Sequence, residues 1–264
     1  MEVVVETITP EVAEQYLKLN TSNRKVRQMH VNRIAKDIES GKWHITGDAI
    51  RFNGTALVDG QHRLLACVKS KTPIKTLVVR GLSQEVYAHI DTNCIHRQAS
   101  DVLSTHGISQ AKAVASIVRM AHWYLSGRRF TSNYDTRLAN DEVVQIAMAD
   151  PAYGEAAKFS TSRKIAKVLP ESLLGCWFYL TAKLDEEAAQ LFWDSVSRGV
   201  FGSEFAPRQS LLLREKLFEN ASAYKKMNIE HKFAYGVRAW NSFREGREIT
   251  KFLYTPNTVV PRFI

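Results

Sequence analysis

The strongest constraint on the fold is a segment in which a β-hairpin leads directly into a polar turn and a helix. Two short apolar runs, 49–52 and 55–58, flank Asn-Gly at 53–54, which is the strongest short-range hairpin signal. The second run ends at Asp-Gly-Gln-His-Arg, residues 59–63, and apolar residues recur at helical spacing after it. The segment therefore predicts strand, tight turn and helix N-terminus in that order.

Such a turn has the chemistry of an anion site. The first turn of a helix has free backbone amides and the positive end of the helix dipole, which favour a bound phosphate. Gln61, His62 and Arg63 add side-chain donors, and Gly60 allows close approach of the backbone to a ligand. Asp59 adds a carboxylate suited to Mg²⁺ or to accepting a proton. The simpler alternative is a surface helix capped by Asp59.

Composition places the chain among globular proteins. Its 264 residues are 45% hydrophobic and 24% charged, which allows one large domain or two ordinary ones. No apolar run reaches the roughly 18 residues of a membrane span, and the N-terminus lacks the features of a signal peptide. The three cysteines form neither a disulfide framework nor a zinc pattern. We therefore expect a cytoplasmic protein without a membrane partner.

The net charge of +9 favours a polyanionic partner, with nucleic acid first. A basic cluster near the turn is a candidate for contact with DNA or with nucleotide phosphates, and it comprises Arg24, Lys25, Arg27 and Arg33. The alternative is a solvated loop.

The pattern changes near residue 100. Residues 1–100 combine helix and strand signals, and the segment 74–80 predicts another strand. From 101 to 264 strand signals nearly vanish, and six or seven packed helices are predicted. The helix starts are expected at Ser109, Asp141, Pro170, Asp185, Pro207 and about Glu230, with loops near 131–136 and 160–163. The expected fold class is α+β, with an α/β module followed by an all-helical domain.

The first part resembles the ParB/sulfiredoxin superfamily, and within it the ParB-like proteins with a D-G-Q-H-R motif, of a type found in phage and mobile elements. The similarity covers residues 1 to about 100 and rests on the motif at 59–63 with its flanking strand and helix. It implies a ParB/sulfiredoxin-like phosphate-binding module that holds a nucleotide at this turn. Members of the superfamily bind and hydrolyse CTP while clamping DNA, repair over-oxidised cysteine with ATP, or phosphorylate serine, and some are reported as nucleases.

The sequence departs from parts of this family. Sulfiredoxins have a reactive cysteine where this chain has Gln61, and Cys67 on the following helix is expected to face the core. Partitioning ParB proteins have Gly-Glu-Arg-Arg at this turn, so Gln61 and His62 differ from them. The serine kinases, with D-G-H-H-R, are the most similar at the turn.

A second segment, 90–98, corresponds to a part of ParB-like proteins that contributes polar residues to the nucleotide site. The resemblance makes Asp91, Thr92, His96 and Arg97 candidates for that role. Arg97 would contact phosphate, and Asp91 would bind Mg²⁺ or act as a base. Cys94 and His96 look like half of a metal site, but no second half has suitable spacing.

The leading hypothesis is a nucleotide-dependent protein that acts on or with DNA by NTP hydrolysis or phosphoryl transfer. In it, residues 60–63 hold phosphates, His62 also has a catalytic role, and Asp59 and Asp91 position Mg²⁺ or the attacking group. One alternative is a non-catalytic DNA-binding regulatory protein. Others are a metal-dependent nuclease using Asp59, Asp91 and His62, and a kinase for a small molecule.

Overall fold

The computed structural model of the chain describes residues 1–20, 23, 25–54, 56–83, 98–127, 138–163, 165, 168–199, 206–223, 227–249, 251–253 and 260–264. Its described residues form a mixed α+β protein with a four-stranded sheet and eleven helices. They divide into two compact units, one ending at residue 83 and the other beginning at residue 98.

The N-terminal unit contains the whole sheet. Its elements are β1 (Glu2–Ile8), α1 (Pro10–Lys18), α2 (Gln28–Glu39), β2 (Ala49–Asn53), β3 (Ala56–Asp59), α3 (Gln61–Ser70) and β4 (Ile74–Arg80). The strands lie in the order β1-β4-β2-β3. β1 pairs antiparallel with β4, β4 pairs parallel with β2, and β2 pairs antiparallel with β3.

Local signals explain most of these elements. Thr9 caps α1 by accepting a hydrogen bond from the Val12 amide, and Pro10 occupies its first position. The predicted hairpin at 53–54 is confirmed by the pairing of β2 with β3. Strand β1 was not predicted from the sequence, although its Val-Val-Val run at 3–5 is typical of a strand.

The start of α3 differs from the prediction. The helix begins at Gln61, inside the motif, so that Gly60 is the only residue between β3 and the helix. α3 packs against both α1 and α2, and the three helices share one hydrophobic core with the sheet. This packing buries apolar side chains from all of these elements, among them Ile8, Ala35, Ile50, Leu57, Leu64 and Val78.

The second unit is helical over its described residues. Its helices are α4 (Ala99–Thr105), α5 (Ala111–Leu125), α6 (Asn140–Ala149), α7 (Ala152–Ser162), α8 (Glu171–Ala182), α9 (Glu186–Arg198), α10 (Arg208–Ser222) and α11 (Ile229–Arg244). These eight exceed the predicted six or seven, because neither α4 nor α7 had a predicted start. α7 also extends into residues 160–162, which were expected to form a loop. Ser109 does not cap α5; Gln110 precedes the helix in a left-handed conformation, with φ +52°.

The core of this unit is rich in aromatic rings. Trp177, Trp193 and Trp240 are fully buried, and the rings of Trp177 and Trp193 stack with centroids 4.8 Å apart. These rings therefore belong to the core of the helical unit. Among the described residues, no helix combines the length and the apolar character that a membrane span requires.

Candidate functional site

Asp59, at the end of β3, is enclosed by three hydrogen-bond donors. Its Oδ2 accepts from Arg51 Nη1 at 2.5 Å and from Arg63 Nη2 at 2.9 Å. Its Oδ1 accepts from the Gly60 amide at 2.7 Å. All three charged side chains are less than a third exposed, with values of 17%, 28% and 15% for Asp59, Arg51 and Arg63. Both carboxylate oxygens are therefore engaged within the protein.

A shift in strand register brings Arg51 to this position. In the hairpin, Asn53 pairs with Ala56 and Phe52 with Leu57, but an irregularity between Arg51 and Phe52 pairs Arg51 with Asp59. A regular antiparallel register would place Arg51 opposite Val58. Arg51 was not predicted as a site residue, because no pattern in the sequence marks this shift.

The Arg63 guanidinium is held in one orientation. Its Nη2 donates both to Asp59 and to the backbone oxygen of Ala49, at 2.9 Å each. Its Nη1 is buried and has no hydrogen-bond partner in the described part of the chain. A buried guanidinium nitrogen without an acceptor is energetically unfavourable, and an anionic oxygen would satisfy it.

Gly60 approaches a neighbouring strand, in addition to connecting β3 to α3. Its φ is +105°, and a Cβ at this position would lie 2.9 Å from Ile50 Cγ1 and 3.2 Å from Ile50 Cα. The glycine is therefore required by the close contact with β2 as well as by its backbone conformation. The sequence also led us to expect that Gly60 lets a ligand approach the backbone closely. The contact with Ile50 does not test that expectation.

Gln61 and His62 are buried and connect α3 to the chain before it. Gln61 Oε1 accepts from Asn20 Nδ2 at 3.1 Å. His62 Nε2 accepts from the Arg27 amide at 3.0 Å, at the start of α2, and the His62 ring lies 5.2 Å from that of His30. An acceptor nitrogen carries no proton, so His62 Nε2 cannot donate to a phosphate while this hydrogen bond is present.

The local charge is positive. Arg51 and Arg63 carry two positive charges against the one negative charge of Asp59. No acidic residue occurs in the first turn of α3. The hydrogen bond between Arg27 and His62 brings the start of α2 to the same place. Lys25, Arg27 and Arg33 are exposed there and on α2. This end of the N-terminal unit therefore favours anions.

Several predicted site residues lie outside the described residues. These are Arg24 of the basic cluster and Asp91, Thr92, His96 and Arg97 of the second segment. Their proposed contacts with nucleotide, Mg²⁺ or DNA remain predictions. Within the described part of the chain, no group of three or more His, Cys, Asp or Glu side chains has an arrangement suited to a metal ion.

Cys67 faces the core, as the sequence predicted. Its side chain is fully buried on α3, and its Sγ lies 3.4 Å from the backbone oxygen of Ile8. Burial raises the pKa of the thiol to about 11. The thiolate required for nucleophilic chemistry is therefore disfavoured at neutral pH.

Comparison with known proteins adds no assignment to this geometry. The chain matches no protein-family model, and neither the curated proteins nor the solved structures that were searched give a match. The resemblance to ParB-like proteins therefore depends on the motif and its surrounding elements.

Proposed function

We propose that the N-terminus of α3 binds the phosphate groups of a nucleotide and that the protein acts with DNA. The observation that carries this proposal is the Arg63 guanidinium, which is oriented by Asp59 and Ala49 while its buried Nη1 has no acceptor in the described chain. An oriented arginine beside the first turn of a helix is well suited to a phosphate oxygen.

The backbone supplies the second part of the argument. Gly60 has no side chain to cap α3, and the first turn contains no acidic residue. A phosphate at this position would accept from first-turn amides and from Arg63, and it would gain from the net charge of +1 that Arg51, Asp59 and Arg63 leave. In this arrangement Gly60 sets the direction of the helix, while Gln61 and His62 hold its first turn in place.

The contacts of Asp59 support a positioning role for this residue. A carboxylate that accepts from two arginines and an amide offers poor access to Mg²⁺, which requires near-ideal octahedral geometry. The residues around Asp59 therefore do not fit a directly coordinated metal ion. We propose that Asp59 orients Arg51 and Arg63.

The DNA part of the proposal depends on the basic start of α2. Lys25, Arg27 and Arg33 are exposed, and the chain has a net charge of +9. Exposed cations of this kind contact backbone phosphates and make binding dependent on salt. Hydrolysis or transfer of a phosphoryl group would need a further group to activate the attacking atom, and Asp91 is the candidate for it.

A non-catalytic DNA-binding regulatory protein is the second candidate function. It is favoured by the same enclosure of Asp59, because both carboxylate oxygens already accept hydrogen bonds within the protein and offer poor access to the proton of an attacking group. In that case the α3 site would hold a backbone phosphate or a regulatory anion. Turnover of NTP would contradict this second candidate.

The proposal is tested by calorimetric titration with ATP, CTP, GTP, ADP and pyrophosphate in the presence of Mg²⁺. Arg63→Lys retains the charge but loses the oriented pair of donors, so we expect it to weaken binding by about tenfold or more. Arg198→Lys is the matched control, because Arg198 is 56% exposed on α9 in the helical unit. Circular dichroism would check that both variants are folded.

Equal affinity of the wild type and Arg63→Lys for the bound compound would refute the α3 site. Absence of binding for every compound in the panel would refute a nucleotide site at α3. Binding of nucleotide without turnover, together with salt-dependent binding of DNA, would favour the regulatory alternative over catalysis.

A further inference from the structure

The helical unit contains a cleft that the proposed function does not use. Its volume is about 370 Å³, and it lies beside the second half of α11 and the residues that follow this helix. Three basic side chains line it, those of Arg238, Arg247 and Lys251. The volume is in the lower part of the range of roughly 300–1,000 Å³ that is typical of small-ligand sites.

The charge of the cleft is positive. Glu248 is the one acidic residue in the lining, and its Oε1 accepts from Arg208 at 2.9 Å. Arg238 and Lys251 are exposed and form no hydrogen bond or ion pair with other described residues. The cations are therefore available to an anionic ligand.

The backbone around Arg247 is fixed. Its amide donates to the backbone oxygen of Ser242 at 2.8 Å, and its own backbone oxygen accepts from Gln209 at 2.7 Å. The Arg247 side chain pairs with Glu245 through Nε at 2.7 Å. These contacts orient the guanidinium before any ligand binds, which lowers the entropic cost of binding.

The apolar part of the cleft is also anchored. Phe252 packs against Tyr235 with ring centroids 4.9 Å apart, and its backbone oxygen accepts from the Tyr235 hydroxyl at 3.0 Å. Pro261 is held by its backbone oxygen, which accepts from the Tyr124 hydroxyl at 2.9 Å. The cleft therefore combines a fixed apolar wall with a basic rim.

Arg244, which lies between these residues in the sequence, does not belong to the cleft. Its Nη1 pairs with Asp185 at 2.6 Å, and its guanidinium lies 5.7 Å from the centre of a Trp240 ring. The fold thus separates Arg244 from the basic side chains that line the cleft.

We propose that this cleft binds a nucleoside phosphate, either as a free nucleotide or as one unit of a single strand. The basic rim would hold the phosphate, and the apolar wall would contact the sugar and base. The proposal extends the expected contact with nucleic acid to the helical unit, but it does not depend on the α3 site, because no residue is shared between them.

Two binding measurements distinguish the two sources of the ligand. Fluorescence anisotropy would follow a labelled twelve-nucleotide oligo(dT) strand, and calorimetry would follow dTMP. The test variant is Arg238→Ala combined with Lys251→Ala, both exposed and therefore compatible with folding. Arg198→Ala is the control for loss of an exposed arginine elsewhere in the same unit.

We expect the double variant to bind its ligand about tenfold or more weakly, while Arg198→Ala retains wild-type affinity. If the ligand is a strand, the slope of log K against log salt should fall by about 1.4 for two lost phosphate contacts. Binding of dTMP alone would identify a free-nucleotide site. Equal affinities of the wild type and the double variant for both ligands, or no binding of either ligand by the wild type, would overturn the proposal.

Discussion

Replacement of Gly60 by alanine tests the geometry at the start of α3. At φ +105° an alanine lies outside the left-handed region near +50 to +70°, and such strain costs on the order of 1–3 kcal/mol. The added Cβ also lies 2.9 Å from Ile50 Cγ1 and 3.2 Å from the Ile50 backbone. Overpacking of this kind costs about 1–3 kcal/mol. Alanine also lowers the conformational entropy of the unfolded chain, which offsets part of these costs, so we expect a total destabilisation of about 3 kcal/mol.

Gly54→Ala is the matched control. Gly54 has φ +52°, inside the left-handed region, and no atom lies within 4 Å of the position of an added Cβ. An alanine in the left-handed region has a strain of about 1–2 kcal/mol. The lower entropy of the unfolded chain offsets part of it, so Gly54→Ala should destabilise the protein by about 1 kcal/mol. The two substitutions therefore differ by about 2 kcal/mol, and the difference comes chiefly from the contact with Ile50.

Hydrogen exchange followed by mass spectrometry measures this difference within the N-terminal unit. Peptides from α3 report its opening free energy, and 2 kcal/mol corresponds to about thirtyfold faster exchange in Gly60→Ala than in Gly54→Ala. Equal exchange rates in the two variants would refute the close contact between Gly60 and Ile50. Displacement of the first turn of α3 should also weaken the nucleotide binding that we propose for this site.

Two further predictions concern stability. The Arg80 guanidinium donates to the Glu6 carboxylate and lowers the pKa of Glu6, so the stabilisation from this ion pair is complete above about pH 5 and is lost as the pH falls through the lowered folded pKa. Between pH 6 and pH 3.5, the opening free energy measured by hydrogen exchange should therefore fall less in Glu6→Gln than in the wild type. Equal decreases in the two proteins would contradict this prediction. In the helical unit, Gly236→Ala places a Cβ 2.3 Å from the Trp177 ring and should destabilise the protein by about 3 kcal/mol. Gly154→Ala, which has open space within α7, should instead stabilise it by about 0.5–1 kcal/mol, and urea unfolding followed by tryptophan fluorescence measures both changes.

Much of the secondary structure was predictable because its signals are local. Helices α8, α9 and α10 begin next to Pro170, Asp185 and Pro207, as expected. The Asp185 side chain accepts from the Ala188 amide at 3.0 Å, which is the contact that an N-cap residue makes. The errors arose where the local signal was absent or misleading: Ser109 is a common cap residue, but the chain turns at Gln110 before α5 begins.

The candidate site was predictable only in part. The position of the D-G-Q-H-R motif at the end of a strand and the start of a helix follows from the apolar pattern on either side. The ion pair of Asp59 with Arg51 was not predictable, because it depends on a register irregularity that places the two residues opposite each other. The contact of His62 with the Arg27 amide was likewise hidden, since 35 residues separate the two in sequence.

By itself, the sequence determined most of the elements, because caps, turn residues and hydrophobic periodicity act over a few neighbouring residues. Only the tertiary structure decided which charges neutralise one another. It joined Asp59 to Arg51 and Arg63, paired Arg244 with Asp185, and left Arg238 and Lys251 at the rim of a cleft. The physical reason is that the partner of a charge depends on strand register and helix packing, which bring together side chains that are distant along the chain.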